Sequence, residues 1–295
     1  MDALQRILST PITHPSLNLI RQPHVTLRNI FKVIAIRNPA PKKDLNKGTN
    51  SLASSYTFIW GAGLSGAFLV VLGIAAHSTA IQAINHTIAH LAFSLRTQGL
   101  DPLAISLGIL GEYQPMILWA TLIFIALLVQ KNPRAASQWI AFTLLGQVIL
   151  SSAKHLFQVA RPHLVTTPPT SFAYPSGHTA MMLIFIGLLT SLLWPTVAKP
   201  YRYALFLFAW LVITSAAFAR LYLGVHWLSD IIGGICVGLL ILCLHQIAQL
   251  RWPSPKIKAI PVGLACLAAL LINTLLFVLP EFPIWRGRYL PLGID

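Results

Sequence analysis

The chain has 295 residues, of which 9% are charged and 56% apolar, and its 21 Lys and Arg face only 7 Asp and Glu. Soluble domains average about 25% charge, so this composition excludes intrinsic disorder and leaves too little polar surface to cover a water-soluble globule. The net charge of +14 does not read as a nucleic-acid footprint, because long apolar runs separate the basic residues instead of one polar face gathering them.

Residues 1–55 read as a basic tail. Arg6, Arg21, Arg28, Lys32, Arg37, Lys42, Lys43 and Lys47 are opposed there only by Asp2 and Asp44, and no apolar core of signal-peptide type interrupts them. A membrane-spanning helix needs about 20 mostly apolar residues. Seven segments qualify as candidate spans: Tyr56 to Ala80, Pro102 to Gln130, Ala135 to Phe157, Ser176 to Trp194, Tyr203 to Arg220, His226 to Leu250, and Ala259 to Leu279. Between the first two, Ile81, Ile84, Ile88, Leu91 and Leu95 recur at helical spacing, while Gln82, Asn85, His86, His90 and Arg96 mark another face. That pattern predicts an amphipathic helix lying in the interface. It carries an Asn85-His86-Thr87 glycosylation triplet, too short a pattern to weigh heavily.

Lys and Arg mark the cytoplasmic side. Most of them fall in the tail, at Lys131 and Arg134, at Lys199 and Arg202, and at Arg251, Lys256 and Lys258. The expected topology is therefore N-terminus in the cytoplasm and C-terminus outside. The three cysteines, Cys236, Cys243 and Cys266, lie inside apolar stretches and read as packing residues. The expected fold is all-α, a polytopic transmembrane bundle with a core over residues 56–250. Residues 251–295 then supply a cytoplasmic loop, the extra seventh span and an outward tail.

Several ionisable residues break this pattern at outward helix ends. Any one of Lys154, Arg161 and Arg220 alone would read as a snorkelling side chain, yet His178, His226 and Asp230 fall at the same membrane face. Lys154 and Arg161 stand about two helical turns apart. Tyr174-Pro175-Ser176-Gly177-His178 opens the fourth span, where Ser176 and Gly177 can turn free N–H groups outward. Cations beside a helix N-terminus form an anion site, and phosphate is its usual occupant. His226 and Asp230 are four apart, so the carboxylate can hold one imidazole N–H and leave the other nitrogen to attack. His178 is then the candidate proton donor. His155 and His163 lie nearby and receive no catalytic role.

These residues resemble the signature of the type 2 phosphatidic acid phosphatase (PAP2) superfamily. Lys154-HLFQVA-Arg161-Pro162, Pro175-Ser176-Gly177-His178 and Arg220-LYLGV-His226-WLS-Asp230 match its three parts in order, within roughly residues 100 to 250. One position departs: the serine expected before the arginine is Ala219. The tail and the seventh span lie outside the family's usual six-span core. The resemblance implies a membrane lipid phosphatase in which His226 attacks phosphorus, Asp230 orients it and His178 protonates the leaving oxygen. Lys154, Arg161, Ser176, Gly177 and Arg220 would hold the phosphoryl oxygens. It implies no metal and no other cofactor. The implied partners are the bilayer and a lipid phosphate, phosphatidate-like or a polyprenyl diphosphate such as undecaprenyl diphosphate, and no nucleic acid. The expected location is a bacterial inner membrane, with the site on its extracytoplasmic face.

Two other functions use the same residues. A phosphotransferase would form the same phosphohistidine on His226 and pass its phosphoryl group to an acceptor other than water. An anion transporter would need its charges near the midplane and an inverted repeat, and neither is visible. Glu112, in Gly111-Glu112-Tyr113 within the second span, either neutralises a site cation or sits in a polar pocket without chemistry.

Overall fold

The computed structural model describes residues 45–292, with side chains from Ser54 onward. Residues 1–44, and with them most of the expected basic tail, lie outside the described residues. The helices are α1 (Leu45–Ala75), α2 (Thr79–Ser94), α3 (Asp101–Leu110), α4 (Tyr113–Val129), α5 (Pro133–Phe157), α6 (Gly177–Leu193), α7 (Lys199–Tyr222), α8 (Leu228–Arg251) and α9 (Ala259–Asn273). A π-turn over Thr274–Val278 joins α9 to α10 (Leu279–Arg288). The one β-type pairing among the described residues is an isolated bridge between Val165 and Pro291.

This is a polytopic transmembrane helical bundle. Five helices are long and apolar enough to cross a membrane, and α3 with α4 makes a sixth, bent span. α6, at 17 residues, is a shorter apolar helix at the centre of the bundle. The outer faces carry exposed Trp60, Leu64, Val71, Leu207, Phe208, Trp210, Leu267 and Leu271, the apolar surface that a helix presents to hydrocarbon. The core forms where α6 meets α5 and α8, around the buried side chains of Trp139, Leu150, Ile184, Phe185, Leu188, Val237 and Ile241. Small residues allow a close approach there. A Cβ on Gly234 of α8 would come 2.7 Å from the Ser176 carbonyl oxygen, so the start of α6 rests directly on α8.

Three boundaries differ most from the sequence reading, the first being the opening span, expected over Tyr56 to Ala80 but helical over Leu45–Ala75. Pro102 to Gln130 was expected as one continuous span, whereas the chain bends by 60° between α3 and α4. The break falls at Gly111-Glu112: a carboxylate in mid-span is costly in hydrocarbon, and unwinding there turns it into the protein interior. The seventh span was expected to end at Leu279, but the helix continues to Arg288. The end of this helix and the residues after it are held against the α5–α6 loop, since Thr166 N–H donates to Leu290 O (3.0 Å) and Thr167 N–H to Arg288 O (3.0 Å).

Basic loops gather at one end of the bundle. Asn132 caps α5 and donates to Pro255 O (2.9 Å), while Arg134 donates to Pro253 O (3.0 Å). Lys131, Arg134, Arg251, Lys256 and Lys258 thus flank the same pair of loops. The other end of α5 lies about 37 Å away for 25 residues at 1.5 Å each, and Lys154 stands near it. The amphipathic segment is helical, as expected, and packs on α7 and α8. Its Asn85 is buried and exchanges two hydrogen bonds with Ser229 at the start of α8, Nδ2–H to Oγ (2.9 Å) and Ser229 N–H to Oδ1 (3.1 Å). Buried in this way, Asn85 is no glycosylation acceptor.

Candidate active site

The structure brings the six ionisable residues of the sequence reading to one end of the bundle, five of them onto one cavity. The α7–α8 turn carries His226 into a fully buried position. Gly224 makes that turn with φ +68°, where its missing side chain leaves room for Phe93. His226 Nδ1 lies 3.1 Å from Asp230 Oδ2, and the same oxygen accepts the Trp227 N–H at 2.7 Å. Asp230 therefore orients the ring and caps the start of α8 together. The other ring nitrogen, Nε2, is 3.1 Å from Arg161 Nη1. A guanidinium can only donate, so Nε2 carries the lone pair and Nδ1–H is the donor to the carboxylate. Burial, then the positive charges of Arg161, Arg220 and Lys154, hold the imidazole neutral well below the usual histidine range.

The cations are held by backbone carbonyls. Arg161 Nε donates to Ser171 O (2.7 Å), Nη1 to Val225 O (2.7 Å) and Nη2 to Ser171 Oγ (3.0 Å). Lys154 Nζ donates to Phe172 O and Ala173 O, which leaves one N–H of the ammonium for the cavity. Arg220 differs from both. It is 1% exposed, and its Nε and Nη1 have no hydrogen-bond partner among the described residues. A buried cation with idle donors is costly unless an anion completes it.

At the start of α6, Gly177 and His178 line the cavity, and the N–H groups of these first helical residues have no intrahelical acceptor. Ser176 is different: it is fully buried, its Oγ is occupied by Thr179, and its N–H donates to Asp230 O (2.9 Å). Its side chain caps α6, and Ser176 is not among the residues that line the cavity. His178 Nε2 is 2.9 Å from Gly108 O, an acceptor only, so that nitrogen carries a proton. Glu112 Oε1 stands 3.4 Å from the same nitrogen. The bend between α3 and α4 delivers both groups to the ring.

The cavity measures about 650 Å³ and has two characters. Lys154, Arg161, Gly177, His178, Arg220 and His226 form its polar end. Met116, Ile117 and Ala120 of α4, Ile140 and Leu144 of α5, and Phe185 of α6 line an apolar arm. His155 and His163 are exposed and do not line it. Among the described residues no three of His, Cys, Asp and Glu are grouped as metal ligands.

Residues 136–253 match the model of the PAP2 superfamily. This stretch, about two fifths of the chain, is similar to the PAP2 superfamily. All three motif segments fall within it, whereas Glu112, α1 to α4 and the C-terminal helices lie outside. The chain is 22% identical over 181 residues to phosphatidylglycerophosphatase B of Bacillus subtilis, covering 60% of this chain and 89% of that protein. It is 23% identical over 156 residues to undecaprenyl-diphosphatase of Sulfolobus acidocaldarius, covering 50% and 72%. The crystal structure of a transmembrane PAP2-type phosphatidylglycerolphosphate phosphatase from Bacillus subtilis superposes with a TM-score of 0.58 at 21% identity, over 63% of this chain and 94% of that one. The fold is therefore common to both.

The sequence reading missed three contributors. Asn85 and Ser171 act on other residues, and the one visible hint was a polar position on the face of an amphipathic helix. The third, the C-terminal segment, enters through backbone pairing with the α5–α6 loop, which has no residue-type signature.

Proposed function

We propose that the chain is an integral-membrane phosphatase that hydrolyses a phosphate ester or diphosphate of a membrane lipid through a phosphohistidine. The observation that carries this reading is the clamped His226, neutral, with Nδ1–H on Asp230 and its Nε2 lone pair directed at the cation cluster. An incoming phosphoryl oxygen is a better acceptor for Arg161 than a neutral imidazole is. It draws the Arg161 N–H to itself and uncovers Nε2 for attack on phosphorus. The N–P bond forms as the P–O bond to the lipid breaks, and His178, doubly protonated beside the bound phosphate with Nε2–H on Gly108 O, gives the proton of its other ring nitrogen to the departing oxygen. Water then attacks the phosphohistidine, His178 takes its proton back, and inorganic phosphate leaves. Arg220, Lys154, Arg161 and the N–H groups of Gly177 and His178 stabilise the charge on the three equatorial oxygens. Asp230 stays ionised against the imidazolium side of the intermediate.

The apolar arm supports a lipid as the substrate. Its walls on α4, α5 and α6 suit a hydrocarbon chain whose phosphate reaches the polar end. In detergent, the purified protein is expected to release phosphate from at least one of phosphatidate, phosphatidylglycerophosphate and undecaprenyl diphosphate, and to do so in excess chelator. The fixed cations supply the charge that a metal would otherwise bring. Inactivity on all three lipids, or a strict divalent-metal requirement, overturns the reading.

The site end is assigned to the extracytoplasmic face of a cytoplasmic membrane, with the basic loops inside. The grouping of Lys131, Arg134, Arg251, Lys256 and Lys258 at the far end of the bundle supports this orientation. A periplasmic-type reporter fused after Asp295 is expected to be active, and one that works only in the cytoplasm to be silent. The reverse pattern inverts the topology.

A further inference from the structure

Beside the phosphate site lies a second cavity of about 400 Å³. Glu112, Pro169 and Ser171 line both cavities, so the two adjoin. Its other wall comes from outside the PAP2-matched segment, from Trp285, Arg288 and Tyr289 at the end of α10. We propose that this side cavity is an anion subsite, built by the C-terminal segment, that receives a second phosphoryl group of the lipid substrate. The inference deepens the phosphatase reading and rests on it.

Three observations support it. Arg288 is exposed at the cavity wall with its guanidinium 5.8 Å over the Trp285 ring, and no carboxylate pairs with it among the described residues. Stacking of this kind orients a cation while leaving its N–H fork free for phosphate. Tyr289 is 1% exposed, and its hydroxyl lies within reach of the Arg220 guanidinium, so an O–H remains to donate into the cavity. Burial pushes the pKa of that hydroxyl up and Arg220 stands beside it, so it remains a proton donor next to the cation of the neighbouring site. Thr167 and Thr170 add hydroxyls to the same wall. The one acid present, Glu112, has its Oε1 near His178, 3.4 Å from Nε2.

The segment is also held in place rather than lying loose. Arg96 donates to Tyr289 O (2.7 Å) and pairs through two bonds with Asp101, which accepts the Tyr222 hydroxyl (2.8 Å). Thr166 Oγ1 donates to Arg288 O (2.9 Å). Ala219, where the family pattern has serine, shares an apolar cluster with the Tyr289 ring.

The proposal names a substrate class, a lipid with two phosphoryl groups, and two sources share that chemistry. One is a polyprenyl diphosphate; the other is a lipid with a phosphomonoester beside a phosphodiester. Arg288→Ala is expected to lower kcat/KM for undecaprenyl diphosphate, phosphatidylglycerophosphate or both by about tenfold relative to phosphatidate, the worth of one charge-assisted contact. Tyr289→Phe, which keeps the buried ring, is expected to shift the ratio in the same direction by a few-fold. The lipid that responds identifies the source, and unchanged ratios for both lipids in Arg288→Ala overturn the proposal. Binding is read separately, by thermal stabilisation with inorganic pyrophosphate and with inorganic phosphate. Arg288→Ala is expected to weaken pyrophosphate more than phosphate, and equal weakening counts against the subsite. If the wild type stays inactive on every lipid while pyrophosphate binding still depends on Arg288, the phosphatase reading fails and the subsite stands.

Discussion

His226→Asn is expected to lower phosphate release from the preferred lipid by at least about 10⁴-fold, in line with the loss of a nucleophile that works as a unit with its neighbours. Asparagine is chosen for what it keeps. Its amide N–H reaches roughly where Nδ1–H stands and can still donate to Asp230, so the buried carboxylate keeps a second donor beside the Trp227 N–H. Alanine would leave Asp230 with Trp227 alone while its Oδ1 already lacks a partner among the described residues. That would destabilise the start of α8 and confuse loss of chemistry with loss of fold. Arg161 also stays anchored, because Ser171 and Val225 hold it without the imidazole. The variant should therefore purify and melt like the wild type, yet form no phosphoenzyme. Acid-labile, alkali-stable label trapped from labelled substrate in the wild type and absent from the variant is the decisive measurement. A variant that keeps its turnover removes His226 as nucleophile, and with it the mechanism.

How much of the fold and the site was legible beforehand depends on where the information sits. The apolar runs gave the spans because hydrocarbon demands length and composition, and both are local properties of the chain. Lys154, Arg161, His178, Arg220, His226 and Asp230 stood out because ionisable groups at helix ends contradict those runs. What holds them did not stand out. Arg161 and Lys154 are anchored on the carbonyls of Ser171, Val225, Phe172 and Ala173, and a carbonyl looks alike in every residue. Ser176 shows the converse. Its type fits both a phosphate ligand and a helix cap, and the burial of its side chain in the capping position is visible only in the fold. The bend at Gly111-Glu112 was hidden because hydropathy averages over one glycine and one acid. The return of the C-terminal segment onto Thr166 and Thr167 depends on pairing across more than a hundred residues, which no local pattern announces.

Arg220→Met is expected to move stability and activity in opposite directions. Arg220 is the large buried cation of the site, with Nε and Nη1 unpartnered among the described residues. It approaches Gly108 so closely that a Cβ there would meet Nη1 at 3.0 Å. Replacing such a charge by an apolar side chain of similar length is expected to stabilise the phosphate-free protein by about 1–4 kcal/mol, visible as a raised Tm in detergent. The same change removes donors aimed at the transferring phosphoryl group and is expected to cost about 10²–10³ in kcat/KM. Vanadate or phosphate should raise the wild-type Tm, because the anion completes Arg220, and should raise that of the variant much less. A merely structural arginine predicts the opposite, a lowered Tm and an anion response left intact. The two roles thus separate without any assay of lipid turnover. The comparison also bears on Glu112, the acid that shares the cavity with Arg220. If Glu112 already neutralised Arg220, the variant would gain no stability, and the idle donors would mark an internal ion pair rather than a place for phosphate.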